Sequence, residues 1–196
     1  EIGVKAAFAH TASENQGHSN AEYDKLFEES GVLREKTWQE FLDTSLALGN
    51  CPPLRGDNVV IITNGGGAGL LAADHFERLG MPLKELKDIS PDLRENIRNY
   101  MPAFGSPLNP VDISGTATSD MYGGALKTAY RDEHVDGILI SVCPTAVTDV
   151  EAITETVINI HRQYKNLGKP FIMECQGGNE CRNAIMKLRD SGIPAY

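Results

Sequence analysis

The chain has 196 residues, of which 41% are hydrophobic and 23% are charged, and its formal net charge at pH 7 is −9. This composition predicts a globular chain long enough for one large domain or two small ones. The acidic balance argues against nucleic acid as a partner, because neutralising phosphates requires a basic face. No apolar run is long enough to cross a bilayer, so no membrane partner is expected.

The four cysteines follow none of the common ligand patterns. Cys51, Cys143, Cys175 and Cys181 lack paired C-x-x-C spacing and have no His-x-His partner. Neither a metal site nor a disulfide framework is therefore predicted. Free thiols in a cytoplasmic protein are the preferred interpretation.

Residues 1–50 resemble part of an α/β domain. The predicted elements are a strand at 4–9, a helix at 21–30, a strand at 32–34 and a helix at 38–48. Gly31 ends the first helix and Thr37 caps the second. Two strands make a poor sheet alone. We therefore expect this region to be the C-terminal part of a larger domain, in a chain that is itself a piece of a longer protein.

Residues 51–57 are rich in proline and glycine and predict a linker, so residues 58–196 are expected to form a second domain. In this domain strands alternate regularly with helices. The strands are predicted at 59–63, 82–86, 137–142, 170–174 and 193–196, and the helices at 70–79, 90–100, 120–131, 147–166 and 179–191. This alternation predicts a doubly wound, flavodoxin-like or Rossmann-like parallel sheet. Ligands bind such sheets beyond the carboxyl ends of the strands.

The glycine loop, residues 64–69, follows the first strand of that domain and precedes a helix. Its bare N–H groups at Gly65, Gly66 and Gly67 suit an anion. The spacing of Gly67, Gly69 and Ala72, with an acid at Glu85 near the predicted second strand, also fits a dinucleotide motif. A tight turn, a phosphate site and an NAD site all remain open.

Two further loops carry candidate residues. In residues 143–149, Thr145, Thr148 or Asp149 is placed to cap the long helix, and the N–H groups around Thr145 and Ala146 are placed to hold a phosphate. His10 and His18 lie on a polar loop that directly follows a predicted strand. A histidine there is a nucleophile, a base or simply solvated.

Several motifs together resemble the nucleoside-diphosphate-forming acyl-CoA synthetases, most closely acetate–CoA ligase (ADP-forming) and more remotely succinyl-CoA synthetase. Residues 7–12 (Ala-Phe-Ala-His-Thr-Ala) are similar to the family's phosphohistidine loop. The glycine loop, residues 108–112 (Leu-Asn-Pro-Val-Asp) and residues 191–194 (Ser-Gly-Ile-Pro) are similar to three further family segments. The resemblance covers essentially the whole chain.

The resemblance implies that His10 carries a phosphoryl group between an acyl phosphate and a nucleotide. It also implies that a helix starting near Thr145, Ala146 and Val147 helps to hold that phosphate. The full enzyme would use CoA, ATP or ADP and Mg, with CoA-binding and ATP-grasp domains or subunits as partners and a small acid or its acyl-CoA as substrate. The chain alone would bind no cofactor and no metal, and would be inactive.

Two alternatives stay open. The first is a synthetase-like regulatory region of a protein lysine acetyltransferase, in which the histidine is often lost, so His10 favours the synthetase. The second is a non-enzymatic or NAD-binding flavodoxin-like module.

Overall fold

The structure is a computed structural model, and it describes residues 20–196. His10, His18 and the strand predicted at 4–9 lie outside the described residues. The chain divides into two compact units, one ending at Ser45 and the other spanning Leu46–Tyr196.

The described part of the first unit contains helix α1 (Asn20–Glu29) and the start of helix α2 (Trp38–Asn50). A reciprocal capping box begins α2. The Thr37 hydroxyl accepts from the Glu40 N–H at 3.1 Å, and the Glu40 carboxylate accepts from the Thr37 N–H at 2.9 Å. Gly31 follows α1 with a φ of 66°, in the left-handed region that glycine tolerates. Both predicted helices are confirmed, as are Gly31 at the end of the first and Thr37 as the cap of the second.

The strand predicted at 32–34 is wrong. The segment is irregular in the structure, and no strand within the described residues lies beside it. The Arg34 guanidinium instead contacts α1, donating to the Asp24 carboxylate at 2.8 Å and to the Asn20 side chain at 3.0 Å. Side-chain contacts to a neighbouring helix therefore replace the ladder that a strand would need.

The second unit is built on a parallel sheet. Its strands are β1 (Val59–Thr63), β2 (Val111–Asp112), β3 (Gly137–Val142) and β4 (Phe171–Cys175), in the order β2-β1-β3-β4. A parallel bridge from Met173 to Ala195 extends the sheet past β4. Every residue of β1 is buried, as its run of β-branched side chains predicts. This order confirms the doubly wound, flavodoxin-like prediction.

Six α-helices connect these strands within the described part of the unit. They are α3 (Gly66–Arg78), α4 (Leu86–Ile89), α5 (Leu93–Arg98), α6 (Ser119–Arg131), α7 (Val150–Tyr164) and α8 (Asn179–Asp190). Right-handed crossovers place α3 on one face of the sheet, and α6, α7 and α8 on the other. Accordingly, α7 packs against both α6 and α8. The core lies between the strands and helices α4, α5, α6, α7 and α8, and α3 contributes no residue to it.

The strand predicted at 82–86 is wrong, and the Asn109 side chain explains why. Its amide donates to the Val59 carbonyl at 2.8 Å and to the Lys84 carbonyl at 2.9 Å, while its oxygen accepts from the Ile61 N–H at 3.1 Å. These bonds satisfy the edge of β1 where a neighbouring strand would pair. The true second strand is Val111–Asp112, which pairs with the last two residues of β1.

Three predicted helix starts are also displaced. The helix predicted at 70–79 begins four residues earlier, at Gly66, so residues 66–69 of the predicted glycine loop are helical. The helix predicted at 90–100, with Ser90 as its cap and Pro91 at its first position, begins at Leu93 instead, and Asp92 occupies its cap position. The helix predicted at 147–166 begins at Val150, is followed by a 3-10 turn at Lys165–Leu167, and ends at Gly168 with a φ of 72°. No helix within residues 20–196 is long and apolar enough to span a membrane.

Candidate functional site

Three segments meet at the carboxyl edge of the sheet, where doubly wound folds bind ligands. The glycine loop follows β1, Asp112 ends β2, and the β3–α7 loop (residues 143–149) follows β3. Because β1 lies between β2 and β3 in the sheet, the glycine loop lies between the other two segments.

The glycine loop passes into α3 without a side-chain cap. Helix α3 begins at Gly66, and Gly65 occupies the N-cap position, where no side chain can accept a hydrogen bond. The Gly65 N–H donates to the Thr63 hydroxyl at 3.0 Å. The N–H groups of Gly66, Gly67 and Ala68 have no acceptor within residues 20–196. No acidic residue lies in the first turn of α3 itself, so these N–H groups have no carboxylate acceptor from their own helix.

Close contacts explain why two of these positions are glycine. A Cβ at Gly65 would lie 2.7 Å from the Cys143 Sγ, and a Cβ at Gly66 would lie 2.7 Å from Oδ2 of Asp112. A Cβ at Gly67 would meet nothing within 4 Å among the described residues. The first two glycines therefore permit close packing, whereas Gly67 faces open space.

A buried amide fixes the glycine loop to the end of β3. The Asn64 side chain, which is 4% exposed, accepts from the Cys143 N–H at 2.8 Å and donates to the Cys143 carbonyl at 2.9 Å. The hydroxyl of the buried Tyr122 lies 2.9 Å from the Asn64 oxygen and 3.1 Å from the Ser141 carbonyl. Burial raises the pKa of Tyr122 well above its usual value, so the phenol keeps its proton and donates.

Asp112 places a carboxylate beside the start of α3. Its Oδ1 accepts from the Ser114 N–H at 2.8 Å, and its Oδ2 is the atom that lies near Gly66. Ser114 has a φ of 75°, a left-handed conformation that is uncommon for a residue with a side chain. The Ser114 N–H thus helps to hold the carboxylate in place.

The β3–α7 loop differs from its sequence-based prediction. The prediction placed the start of a helix at Val147, but α7 begins at Val150, and Asp149 is the cap, accepting from the Ala152 N–H at 2.9 Å. The Thr145 N–H donates to the Thr148 hydroxyl at 2.9 Å, and the Val147 N–H donates to the Thr145 hydroxyl at 3.4 Å.

Of the three residues predicted to bind phosphate in that loop, Thr145 and Val147 therefore have their N–H groups occupied within the loop. The third residue, Ala146, has no such bond among the hydrogen bonds of the described residues. The residues stay predictions, but the helix end expected beside them lies farther along the chain.

The position of Glu85 argues against the dinucleotide interpretation of the glycine loop. Glu85 occupies the N-cap position of α4 instead of the end of a strand next to β1, and its carboxylate pairs with Lys87 at 3.0 Å. Both side chains are more than half exposed. An acid at this position does not reproduce the ribose-binding site of a dinucleotide fold.

Sequence reasoning missed three residues that shape the site: Asn64, Asp112 and Tyr122. Asp112 lies inside the Asn-Pro-Val-Asp segment, so the segment was recognised although the role of its carboxylate was not. Asn64 was counted as part of a turn. No local sequence signal identified Tyr122, because its partners lie 58 and 19 residues away along the chain.

The described residues contain four free cysteines and no group of three or more His, Cys, Asp or Glu side chains that is placed to hold a metal ion. Burial raises the pKa of Cys143 and of Cys175, so both are thiols near neutral pH.

Comparison with known proteins decides the family. A family model described as "Ligase-CoA domain" matches residues 59–196, which include the whole sheet, the glycine loop and Asp112. The chain belongs to the Ligase-CoA domain family. The resemblance to nucleoside-diphosphate-forming acyl-CoA synthetases is thereby confirmed, and no finding supports the acetyltransferase alternative.

The relatives of this Ligase-CoA domain chain agree with that assignment. It is 42% identical over 202 residues to the acetate–CoA ligase (ADP-forming) I subunit alpha of Pyrococcus furiosus, covering all of this chain and 41% of that protein. It is 31% identical to acetate–CoA ligase (ADP-forming) I of Archaeoglobus fulgidus, covering all of this chain and 26% of that protein. The chain thus spans less than half the length of these relatives.

A solved structure shows the same fold. The dinucleotide-forming acetyl-coenzyme A synthetase 1 of Candidatus Korarchaeum cryptofilum, in complex with phosphate and ADP, matches with a TM-score of 0.89 and 32% identity. The match covers all of this Ligase-CoA domain chain and 41% of that protein.

Proposed function

We propose that the chain is part of an ADP-forming acyl-CoA synthetase, an acid–thiol ligase that interconverts acyl-CoA, ADP and phosphate with acid, CoA and ATP. The relatives named above support the reaction class, and the match to the phosphohistidine loop supports the route through a phosphorylated histidine. The observation that carries the proposal is the open N-terminus of α3, with three unpaired N–H groups at a glycine loop.

His10 is the proposed phosphoryl carrier. A neutral imidazole nitrogen is a competent nucleophile at physiological pH, and the resulting phosphohistidine retains negative charge that hydrogen-bond donors must stabilise. The sequence segment around His10 is the one that matches the family's loop.

We assign the supporting helix end to Gly65, Gly66 and Gly67 in preference to Thr145, Ala146 and Val147. At the glycine loop the N–H groups of Gly66, Gly67 and Ala68 are unpaired within the described residues, whereas the β3–α7 loop uses two of its N–H groups internally. An exposed helix N-terminus contributes about 0.3–1 kcal/mol to an anion. Such a contribution assists a phosphate site that other groups complete.

The Asp112 carboxylate opposes anion binding at this helix end, because like charges repel. We infer that it disfavours free phosphate at rest, so a bound phosphoryl group must arrive with compensating donors or cations. In the full enzyme Mg would supply positive charge.

The remaining components lie outside this chain in the proposal. CoA-binding and ATP-grasp domains or subunits would bind CoA, ATP or ADP, and the small acid or acyl-CoA substrate, in the cytoplasm. The chain alone would bind no cofactor and would be inactive.

Phosphohistidine formation on the complete enzyme tests the proposal. The enzyme is incubated with Mg-ATP labelled on the γ-phosphate, and acid-labile, base-stable label is measured for the wild type, His10→Ala and His18→Ala. His18 is the matched control, since it lies on the same polar segment but outside the motif. We expect label on the wild type and on His18→Ala, and none on His10→Ala.

Label that persists on His10→Ala, or a wild type that stays unlabelled with both ATP and GTP, would contradict the relay role. Label lost only from His18→Ala would move the carrier to that residue. A circular dichroism spectrum of each variant shows that it is folded before its label is interpreted.

A further inference from the structure

A cavity lies at the amino-terminal edge of the sheet, opposite the edge that carries the glycine loop. It has a volume of about 290 Å³, and its polar lining comes from Asn50, His161, Lys165, Asn166, Lys169 and Ser191. Among the described residues, no Asp or Glu side chain lines it. In a chain with a net charge of −9, a cavity lined by two lysines and no carboxylate is a local reversal of charge. We name it the Lys165 cavity.

Lys165 is the unpaired charge of this cavity. Its ammonium makes no ion pair and no side-chain hydrogen bond within residues 20–196. Lys169, by contrast, donates to the carbonyl oxygens of Ala129 (3.3 Å) and Asp132, and the charges of Asp132 and Asp136 partly offset its own. A cation with no partner at the mouth of a cavity is available to an external anion.

The tautomer of His161 adds a neutral donor. Burial, and to a smaller extent the Lys165 ammonium, lowers the pKa of His161, so its imidazole is neutral at pH 7. The Tyr130 hydroxyl lies 2.8 Å from the Nδ1 of His161. Burial raises the pKa of Tyr130, so this phenol keeps its proton, and within the described residues only that nitrogen accepts it. The imidazole proton therefore resides on Nε2, on the side of the ring away from Tyr130.

The other lining groups are also able to donate. The Ser191 hydroxyl accepts from the Arg162 guanidinium at 3.5 Å, which leaves its own proton free. The Asn166 amide carries two N–H groups. Together with the Lys165 ammonium and the His161 N–H, these groups present more donors than the two oxygens of a carboxylate can use. A tetrahedral oxyanion with three or four oxygens fits this set better.

We propose that the Lys165 cavity is a binding site for a tetrahedral dianion, the phosphate group of a small metabolite or inorganic phosphate, separate from the glycine loop. The two sites lie at opposite edges of the sheet, because α3 begins after the end of β1 whereas Lys165 follows α7 and precedes the start of β4. A ligand here would not compete with chemistry at the glycine loop. It would bind as an effector or as a stabilising anion.

A lysine at the C-terminus of a helix also compensates the helix dipole, which would explain Lys165 without any ligand. The test must separate these roles. The 196-residue chain, labelled with ¹⁵N, is titrated at pH 7 with sodium phosphate, sodium sulfate and sodium acetate at constant ionic strength. Amide shifts are followed for residues 165–169 and 191–192.

We expect saturable shifts at those residues with phosphate and sulfate, and none with acetate. Lys165→Gln should weaken phosphate binding by roughly tenfold or more, while Lys165→Arg, which keeps the charge, should retain it. Lys87→Gln is the matched control, because it removes the same charge outside the cavity and should leave the affinity unchanged.

Four outcomes would overturn the proposal. These are an absence of saturable shifts at 165–169 and 191–192, an unchanged affinity in Lys165→Gln, equal binding of acetate, and phosphate shifts confined to residues 65–69. The last would leave the glycine loop as a phosphate site and remove only the second one. If Lys165→Gln lowers the urea midpoint without changing any titration, Lys165 serves only the helix dipole.

Discussion

Helices α3 and α7 both begin at the carboxyl edge of one sheet, yet their N-termini differ. The first turn of α3 follows a glycine loop, has no side-chain cap, and leaves three N–H groups unpaired within the described residues. The first turn of α7 is capped by the Asp149 carboxylate and carries Glu151 as well. Helix α3 thus supplies no charge or cap of its own, and its neighbouring charge is Asp112 of β2, whereas α7 is compensated by its own Asp149 and Glu151.

The difference shows what makes a helix end a plausible anion site. Position at the edge of a doubly wound sheet is shared by both helices, so position alone does not distinguish them. The distinction lies in residue type. Glycine at the cap position offers no oxygen to the N–H groups, whereas an aspartate there supplies one together with a negative charge.

The largest expected effect comes from breaking the link between the glycine loop and the β3–α7 loop, which the Asn64 side-chain amide makes. Asn64→Ala leaves the N–H and carbonyl of Cys143 without their partner, while Tyr122 keeps the Ser141 carbonyl as an acceptor. Losing these buried bonds should lower the free energy of unfolding by about 2–3 kcal/mol. Urea unfolding followed by circular dichroism measures it.

Asn183→Ala is the control for that change, because Asn183 is exposed on α8 and its loss should leave the urea midpoint nearly unchanged. If Asn64→Ala proves equally harmless, the amide does not hold the two loops together, and their rigidity must have another source.

A matched pair of glycine substitutions should have the next largest effect. Gly66→Ala brings a Cβ to 2.7 Å from the Asp112 carboxylate, whereas Gly67→Ala points into open space. We expect Gly66→Ala to destabilise the chain by about 1–2 kcal/mol through displacement of Asp112, and Gly67→Ala to stabilise it by about 0.5 kcal/mol through helix propensity. Thermal unfolding of both variants compares them directly.

Equal responses of the two variants would show that the contact with Asp112 does not constrain the loop. In the complete enzyme the same pair also sharpens the functional proposal. If Gly67 faces the phosphoryl group, Gly67→Ala should reduce histidine labelling even though it stabilises the fold.

The sequence predicted several features that depend on neighbouring residues. The buried run of β1, the Thr37 capping box and the glycine that follows α1 were all predicted, since each depends on local pattern or backbone geometry. The parallel sheet followed from the alternation of strands and helices. The family motifs predict His10 as the phosphoryl carrier, and this stays a prediction because His10 lies outside the described residues.

The sequence-based predictions failed where distant residues, or several nearby candidates for one role, determine the structure. The segment at 82–86 has a strand-like composition, but the Asn109 side chain pairs with the edge of β1 instead. The start of α7 was placed three residues early because three candidate caps, Thr145, Thr148 and Asp149, follow each other closely. Their hydrogen bonds, not their residue types, show that Asp149 is the one that caps the helix.

The smallest expected effect comes from making α7 resemble α3. Asp149→Ala removes the cap that accepts from the Ala152 N–H and should lower the free energy of unfolding by about 1 kcal/mol. It also removes a negative charge from the helix end, so phosphate should shift the amide signals of residues 150–152 more in this variant than in the wild type.

Glu151→Gln, which removes a charge but keeps the cap, is the control. If both variants gain phosphate binding equally, charge and not the free N–H groups separates the two helix ends. If neither gains any, an uncapped helix N-terminus is insufficient, and the anion site proposed at α3 must depend on the glycine loop itself.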